Sequence, residues 1–332
     1  MILPVTHWLL MSLRHRAVVL PSCANPRIAS GGLVGEGKTE YFASMGERAR
    51  AATARNGSFV VQAASIDADA SACMQQAGIA FPIIAKPDIG WCGFGVRRID
   101  DRQQLRDYLG AFPKGERVLL QAYVADAGEA GVFYVREPGA VQGRVLGVAL
   151  RYFPQVTGDG VHTLAELIAG DTRLQRLHDP LHRSRVDLSR VAAAGEVVRL
   201  ATIGSTRVGG LYRDGQALIT PQLGAAIDAI ARDMDEFHFG RFDLRYASEA
   251  ALMRGEGFTI IEVNGAGSEA IEAWDPATRP LAAMRKIMAK QALLFRIAAA
   301  NRRRGFRPLG LRALARLHFN QQRLIRLYPP SN

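Results

Sequence analysis

The stretch GRFDLRY, residues 240–246, alternates charged and apolar side chains without a break. A strand period of two sends Arg241, Asp243 and Arg245 to one face and Phe242, Leu244 and Tyr246 to the other, the core side. Twelve residues further on, FTIIEVN (258–264) puts Glu262 and Asn264 on one face, with Ile261 and Val263 opposite. If the two strands are neighbours, Asp243, Glu262 and Asn264 come together with Arg241 close by. Three hard oxygen donors, two of them anionic, suit Mg²⁺ that also holds phosphates. A carboxylate pair in a sheet is costly unless a cation or a donor satisfies it. The blander interpretation is two exposed faces of edge strands.

Upstream, the chain from Phe81 is a series of short β-like runs (PIIAK, RVLLQAYV, GVFYVR, RVLGVALRYF, GEVVRLA). Helical patterns lie between some of them, at Asp101–Leu109, Thr163–Ile168 and Pro221–Phe237, and a long one runs from about Pro280 to Arg304. Strands dominate without regular βαβ alternation, which predicts α+β with mixed or antiparallel sheets. In FPIIAKP (81–87), Lys86 shares a face with Ile84, and a lysine in so apolar a run needs an anionic partner. The next segment, DIGWCGFGV (88–96), has Gly90, Gly93 and Gly95, which permit close backbone approach to a phosphate. In RVLLQAYV (117–124), backbone groups and the Gln121 side chain could meet an adenine edge. Glu129 could take a ribose hydroxyl pair.

This order of a strand ending in Lys, a Gly-rich loop, a hinge strand, and then Arg-x-Asp and Glu-x-Asn strands resembles the ATP-grasp superfamily. Within it, the likeness is to the D-alanine–D-alanine ligase and cyanophycin synthetase branch of carboxylate–amine ligases. The run FPQVTGDGVHTLAELI (153–168) is similar to the central loop of cyanophycin-synthetase-like enzymes. The resemblance covers about residues 66–300. It implies an α+β ATP-grasp fold, two α+β subdomains clasping ATP, with an abbreviated N-terminal region. It also implies that Lys86 binds the α/β-phosphates and that Gly93, Phe94 and Gly95 close over the β/γ-phosphates as a lid. Gln121, Ala122, Tyr123 and Val124 would hold the adenine and Glu129 the ribose. Asp243, Glu262 and Asn264 would coordinate two Mg²⁺, with Mn²⁺ as a substitute. Arg241 would stabilise the tetrahedral intermediate, with Lys86 and Arg151 as further catalytic cations. The implied reaction joins a carboxylate to an amine through an acylphosphate, with ADP as product.

Two departures stand out. Arg151 occupies the place of the family's second phosphate-binding lysine, keeping the charge and gaining a bidentate fork. Only 85 residues precede Lys86, where relatives fit a complete substrate-binding α/β domain. The expected divisions are therefore an N-terminal region (1–64), an ATP-grasp domain (65–305; lid subdomain 65–125, larger sheet subdomain 126–305) and a basic tail (306–332). His162 and His238 read as structural or substrate-edge groups and Cys92 as incidental. Trp91 and Trp274 fit a pocket or the core, and Ser268 and Glu269 are further substrate candidates.

A competing nucleotide motif lies at residues 31–40, GGLVGEGKTE, where Gly32-x-x-x-x-Gly37-Lys38-Thr39 matches the Walker A pattern. A phosphate loop needs a buried strand ending just before its first glycine. The only strand candidate, Ala17–Leu20, is separated from it by PSCANPRIASG. No apolar strand ending in Asp follows downstream. The segment is therefore expected to be a structural turn feeding a helix.

Composition is ordinary for a globular chain: 332 residues, 48% hydrophobic and 22% charged. Three scattered cysteines argue against a disulfide framework and for a reducing, cytoplasmic setting. The net charge of +11 is concentrated near residues 302–326. A solvated basic face is favoured there over contact with an anionic membrane or acidic partner, and nucleic acid is not favoured, because aromatic interleaving is sparse. Small carboxylate and amine substrates are the expected partners, and a homodimer stays open. Two alternatives also remain: a peptide-tagging or polymerising ligase acting on a protein or oligomer, and a non-catalytic nucleotide-binding module.

Overall fold

The alternation in GRFDLRY is realised in a strand, Phe239–Tyr246, that is buried along its length except at half-buried Arg241. The computed structural model describes residues 2–176 and 186–331. Numbered in chain order, the strands are β1 (Asn56–Val60), β2 (Ile83–Pro87), β3 (Arg97–Ile99), β4 (Arg117–Ala122), β5 (Gly128–Val135), β6 (Arg144–Tyr152), β7 (Gln155–Thr157), β8 (Val197–Arg199), β9 (Leu211–Asp214), β10 (Phe239–Tyr246) and β11 (Phe258–Asn264). Two compact units are formed, one from Met1–Ala54, Val124–Leu150 and Arg213–Leu324, the other from Arg55–Tyr123, Arg151–Tyr212 and Ile325–Asn332. The architecture is α+β, and the pairings β1–β4, β2–β3, β2–β4, β5–β6, β5–β10, β7–β8 and β10–β11 are antiparallel.

The first unit is built on a five-stranded sheet in the order β11-β10-β5-β6-β9. Central β5 carries apolar residues on both faces, so both faces must be covered. Val132 and Tyr134 pack with Phe242, Leu244 and the helix Pro221–Arg232, through Leu223 and Ile227. Phe133 and Val135 pack with Phe239 and the helix Pro280–Arg303, through Leu294 and Ile297. Tyr134 keeps its hydroxyl satisfied inside this core by donating to Asp228 Oδ1 at 2.6 Å.

The N-terminal stretch departs from expectation. Ala17–Leu20 is not a strand, because Pro21 lacks the N–H a ladder needs and starts a short 3₁₀ turn, Leu20–Cys23. The helical pattern after Lys38 breaks at Met45, which is extended, giving separate helices Lys38–Ser44 and Glu47–Ala51. The Pro221 helix ends at Arg232, short of Phe237. The irregular residues are fixed by Asn25, which is fully buried. Its Oδ1 accepts from the amides of His238 and Phe239 at 2.8 and 3.0 Å, and its Nδ2 donates to the carbonyls of Gly31 and Phe239, both at 2.8 Å.

In the second unit the sheet order is β1-β4-β2-β3. Strand β1, NGSFV, was not anticipated from the sequence; it pairs with β4 from Asn56↔Gln121 to Val60↔Arg117. Ile83, Ala85, Val118 and Leu120 meet Leu105, Tyr108 and Leu109 of the helix Arg102–Ala111 in one core, with Tyr328 packed against it. The β7–β8 ladder has its own small core, Val156, Leu164, Leu200 and Val208. The helix Leu164–Ala169 begins with a capping box, Thr163 and Glu166 each bonding the other's backbone amide, which the sequence pattern T-x-x-E encodes.

Two consequences can be measured. Asn25→Ala takes from the backbone amides of His238 and Phe239 the acceptor that Asn25 supplies, and is expected to cost about 3 kcal/mol in denaturant unfolding. Arg304 donates to both carboxylate oxygens of Glu236, at 2.6 and 2.7 Å, and His238 Nε2 lies 2.8 Å away. Arg304 foremost holds the Glu236 carboxyl down to about 2. A depressed carboxylate contributes stability above its unfolded value of 4.5 and loses it as pH falls toward 2. Arg304→Gln should therefore cost about 1 kcal/mol at pH 7, and the gap from the parent in urea midpoint should close between pH 4.5 and 2.

Candidate active site

In the first unit, register brings the expected groups together. Asp243 stands opposite Glu262, and Arg241 opposite Asn264, across β10 and β11, with a bulge just after Asp243. Asp243 is 1% exposed and is held by Arg241 through Nε at 2.6 Å and Nη2 at 3.0 Å. Asn264 Nδ2 reaches the same carboxylate at 3.2 Å. On the facing strand, Gly131 is opposite Asp243; a Cβ there would lie 2.8 Å from Arg241 Cδ and 3.1 Å from Asp243 Oδ1. A glycine is what makes room for the pair.

Glu262 meets Lys38 Nζ at 3.4 Å. Lys38 is the first residue of the helix that follows the Walker-like segment, so the segment is joined to this site after all. Its glycines serve as a cradle: the carbonyls of Gly31 and Gly32 accept from the amides of Ala266 and Gly267 at 3.1 and 2.6 Å. Gly32 sits at φ +77, and a Cβ there would lie 2.6 Å from Gly265 Cα. Among the described residues no strand leads into it, as the sequence implied. Next to it Glu36 is half-buried, and desolvation of its carboxyl raises its pKa.

The donor set of two carboxylates and an amide oxygen has the hard-oxygen chemistry that suits Mg²⁺. Each carboxylate is matched by a basic side chain, Arg241 or Lys38. Among the described residues no group of three or more His, Cys, Asp or Glu gathers as a metal site. Glu129 forms a buried ion pair with Arg245 at 3.2 Å, so a ribose there would have to share it. Ser268, Glu269 and Trp274 line a cavity of about 540 Å³ with Trp8, Leu33 and Lys290. Lys290 lies 2.8 Å from Glu272 and over the Phe133 ring, and burial draws its pKa down to about 8.

In the second unit, Lys86 is 5% exposed and donates to Gln121 Oε1 at 2.8 Å. Gln121 faces Ile84 in the β2–β4 register, which places it diagonally beside Lys86. One partner of the lysine is thus an amide oxygen. The amide of Ala122 donates to Arg55 O at 2.8 Å, and the Tyr123 ring lies under Arg98 at 4.5 Å. The segment reaches Tyr123 in this unit and Val124 in the other. Arg151 lies over the Tyr212 ring at 5.8 Å. His162 and Asp159 form an exposed pair at 2.6 Å, which raises the histidine; the aspartate is lowered first by the His162 backbone amide and then by its ring.

The glycine-rich loop after β2 is sharply turned. Cys92, Gly93 and Gly95 have φ of 46°, 75° and 71°. Trp91 is exposed and stacks on Phe94 at 6.5 Å. Three residues bearing on the two sites had no sequence signal: Asn25, Arg207 and Tyr328 find partners between 114 and 239 positions away.

No protein-family model and no curated protein matches the chain. Among solved structures it is similar to a bifunctional glutathione synthetase from Pasteurella multocida, at 17% identity and TM-score 0.40, covering 80% of this chain and 38% of that one. It is also similar to the VanG D-Ala:D-Ser ligase from Enterococcus faecalis, at 14% and 0.43, covering 81% and 64%. A third is the D-alanine–D-alanine ligase from Bacillus anthracis, at 12% and 0.43, covering 80% and 67%. The chain spans less than two thirds of the first two.

The loop geometry can be tested with two glycines. At Gly95 a Cβ would lie 2.8 Å from Pro87 Cγ in a left-handed conformation, so Gly95→Ala should cost about 1–3 kcal/mol. Helical Gly110 has open space around its Cα, so Gly110→Ala should gain about 0.5–1 kcal/mol. Chemical denaturation of both variants is the measurement.

Proposed function

We propose that the chain is an ATP-dependent, ADP-forming carboxylate–amine ligase of the ATP-grasp type. The observation that carries this reading is the β10–β11 register, which gathers Arg241, Asp243, Glu262 and Asn264 on adjoining strand positions. A buried bidentate Arg–Asp pair with further oxygen donors beside it is expensive as mere structure and apt as machinery.

Lys86 and Gln121, with the loop 88–96, take the nucleotide, and Arg151 adds charge for its phosphates. Asp243, Glu262 and Asn264 hold Mg²⁺, which when bound neutralises phosphate charge and polarises the γ-phosphoryl group. A substrate carboxylate oxygen attacks the γ-phosphorus, and the bond to the ADP oxygen breaks. The amine nitrogen then attacks the acyl carbon, phosphate leaves, and the nitrogen gives up a proton to solvent. Arg241, fixed by Asp243, stabilises the oxyanion of that second step. Ser268 and Glu269 face the substrate side.

The test is ADP release by the full chain with Mg²⁺ across a panel of amino acids, dipeptides and polyamines. A carboxylate–amine pair should raise release well above the basal ATPase rate; if none does, the ligase assignment falls. Asp243→Asn and Lys86→Ala should each remove the thermal stabilisation given by ATP with Mg²⁺. Lys38→Ala should leave ATP affinity nearly unchanged, since the phosphate contacts are assigned to Lys86, Arg151 and the loop 88–96 and not to Lys38.

A further inference from the structure

The cavity of about 540 Å³ is lined entirely by residues of the first unit, and its volume falls in the roughly 300–1,000 Å³ range of small-molecule sites. The helix Ile2–His15 forms one wall through Val5, Trp8 and Leu9, and the helix Pro280–Arg303 another through Ile287 and Leu294. These walls are fixed to each other. His7 Nδ1 meets Gln291 Oε1 at 2.8 Å, Trp8 packs edge-on to Phe295 at 5.0 Å, and Arg302 donates to His15 O at 3.1 Å. Val5, Leu9 and Trp274, which also line the cavity, are 56%, 54% and 46% exposed, so it opens through an apolar mouth.

The polar side chains of the lining are Ser268, Glu269, Lys290 and Gln291. Ser268 Oγ donates to Gly265 O, Gln291 is engaged by His7, and Glu269 is exposed. Lys290 differs from these: it is 8% exposed, and beyond the Glu272 ion pair at 2.8 Å its nitrogen has no hydrogen-bond partner among the described residues. An ammonium carries three donors, so one carboxylate oxygen leaves capacity unused. Burial foremost draws its pKa down against the pull of Glu272, and the charges of Arg241 and Lys286 push the same way as burial. Arg241 therefore lies within electrostatic reach of this ammonium, which places the inner end of the cavity toward the candidate chemistry.

We propose that the cavity is the pocket of the acid substrate and that this acid is an amphiphile, an extended apolar monocarboxylate whose body lies between the two helices and whose head meets Lys290. The orientation follows from charge: the head finds a buried cation inside, whereas Glu269 is exposed and repels it at the surface. A small hydrophilic acid would leave the apolar walls facing water. The role as substrate rests on the ligase reading above; the binding site does not.

The experiment is calorimetric titration of the full chain, without nucleotide, with hexanoate, octanoate, decanoate and decanol. Decanoate should bind saturably at one per chain, with affinity rising about threefold for each CH₂ added from hexanoate. Decanol, of the same length without the charge, should bind about tenfold more weakly than decanoate. Leu9→Glu, at an exposed position of the mouth, should weaken decanoate about tenfold. Lys290→Met should bring decanoate to the level of decanol; if that variant does not fold, the decanol comparison decides alone. Affinity independent of chain length, decanol equal to decanoate, or parent-like binding in Leu9→Glu would each overturn the site. ADP release with Mg²⁺ and a panel of amines then tests the role: decanoate should raise it more than hexanoate does. If a small amino acid raises release and decanoate does not, the cavity is not the acid's pocket and the proposal falls. If no acid raises release while decanoate binds as described, the ligase reading fails and the binding site stands.

Discussion

Strand β10 is paired along both edges, with β5 on one side and β11 on the other, and the first unit is organised around that constraint. A strand with two partners cannot slip by one residue without exchanging its faces. Slippage here would put Arg241, Asp243 and Arg245 among Leu223, Ile227 and Val263, an intolerable desolvation. The same fixed register sets Asp243 across from Glu262 and Arg241 across from Asn264. Core packing and candidate chemistry are therefore two faces of one strand.

The charged face is balanced locally. Arg241 answers Asp243, and Arg245 answers Glu129, so the face is close to neutral despite its burial. Pairs of this kind contribute little net stability once desolvation is counted, and removing one partner leaves the other stranded. Their value lies in orientation, and Gly131 is the concession the neighbouring strand makes to them.

Much of this was legible in the sequence, for a physical reason: period-two alternation and β-branched runs report a strand's own environment. All seven of the quoted runs fall on strands, and the Asp243, Glu262 and Asn264 grouping follows from alternation plus adjacency. The Walker-like segment was rightly refused a strand, but Lys38 meets Glu262, a contact 224 positions apart that no local pattern encodes. Strand β1 escaped notice because NGSFV has little apolar weight, and its burial is only partial throughout. Asn25 satisfies two chain segments more than 200 positions apart, and a lone asparagine in a turn-rich stretch carries no mark of that duty.

The loop geometry has a practical corollary. Cys92 is exposed, while Cys23 and Cys73 are buried, and burial pushes the Cys23 thiol up to about 11 and raises that of Cys73 as well. A thiol-directed reagent at neutral pH would react at the exposed site first. The chain thus carries a natural attachment point for a spin label or fluorophore on its glycine-rich loop, without any engineered cysteine.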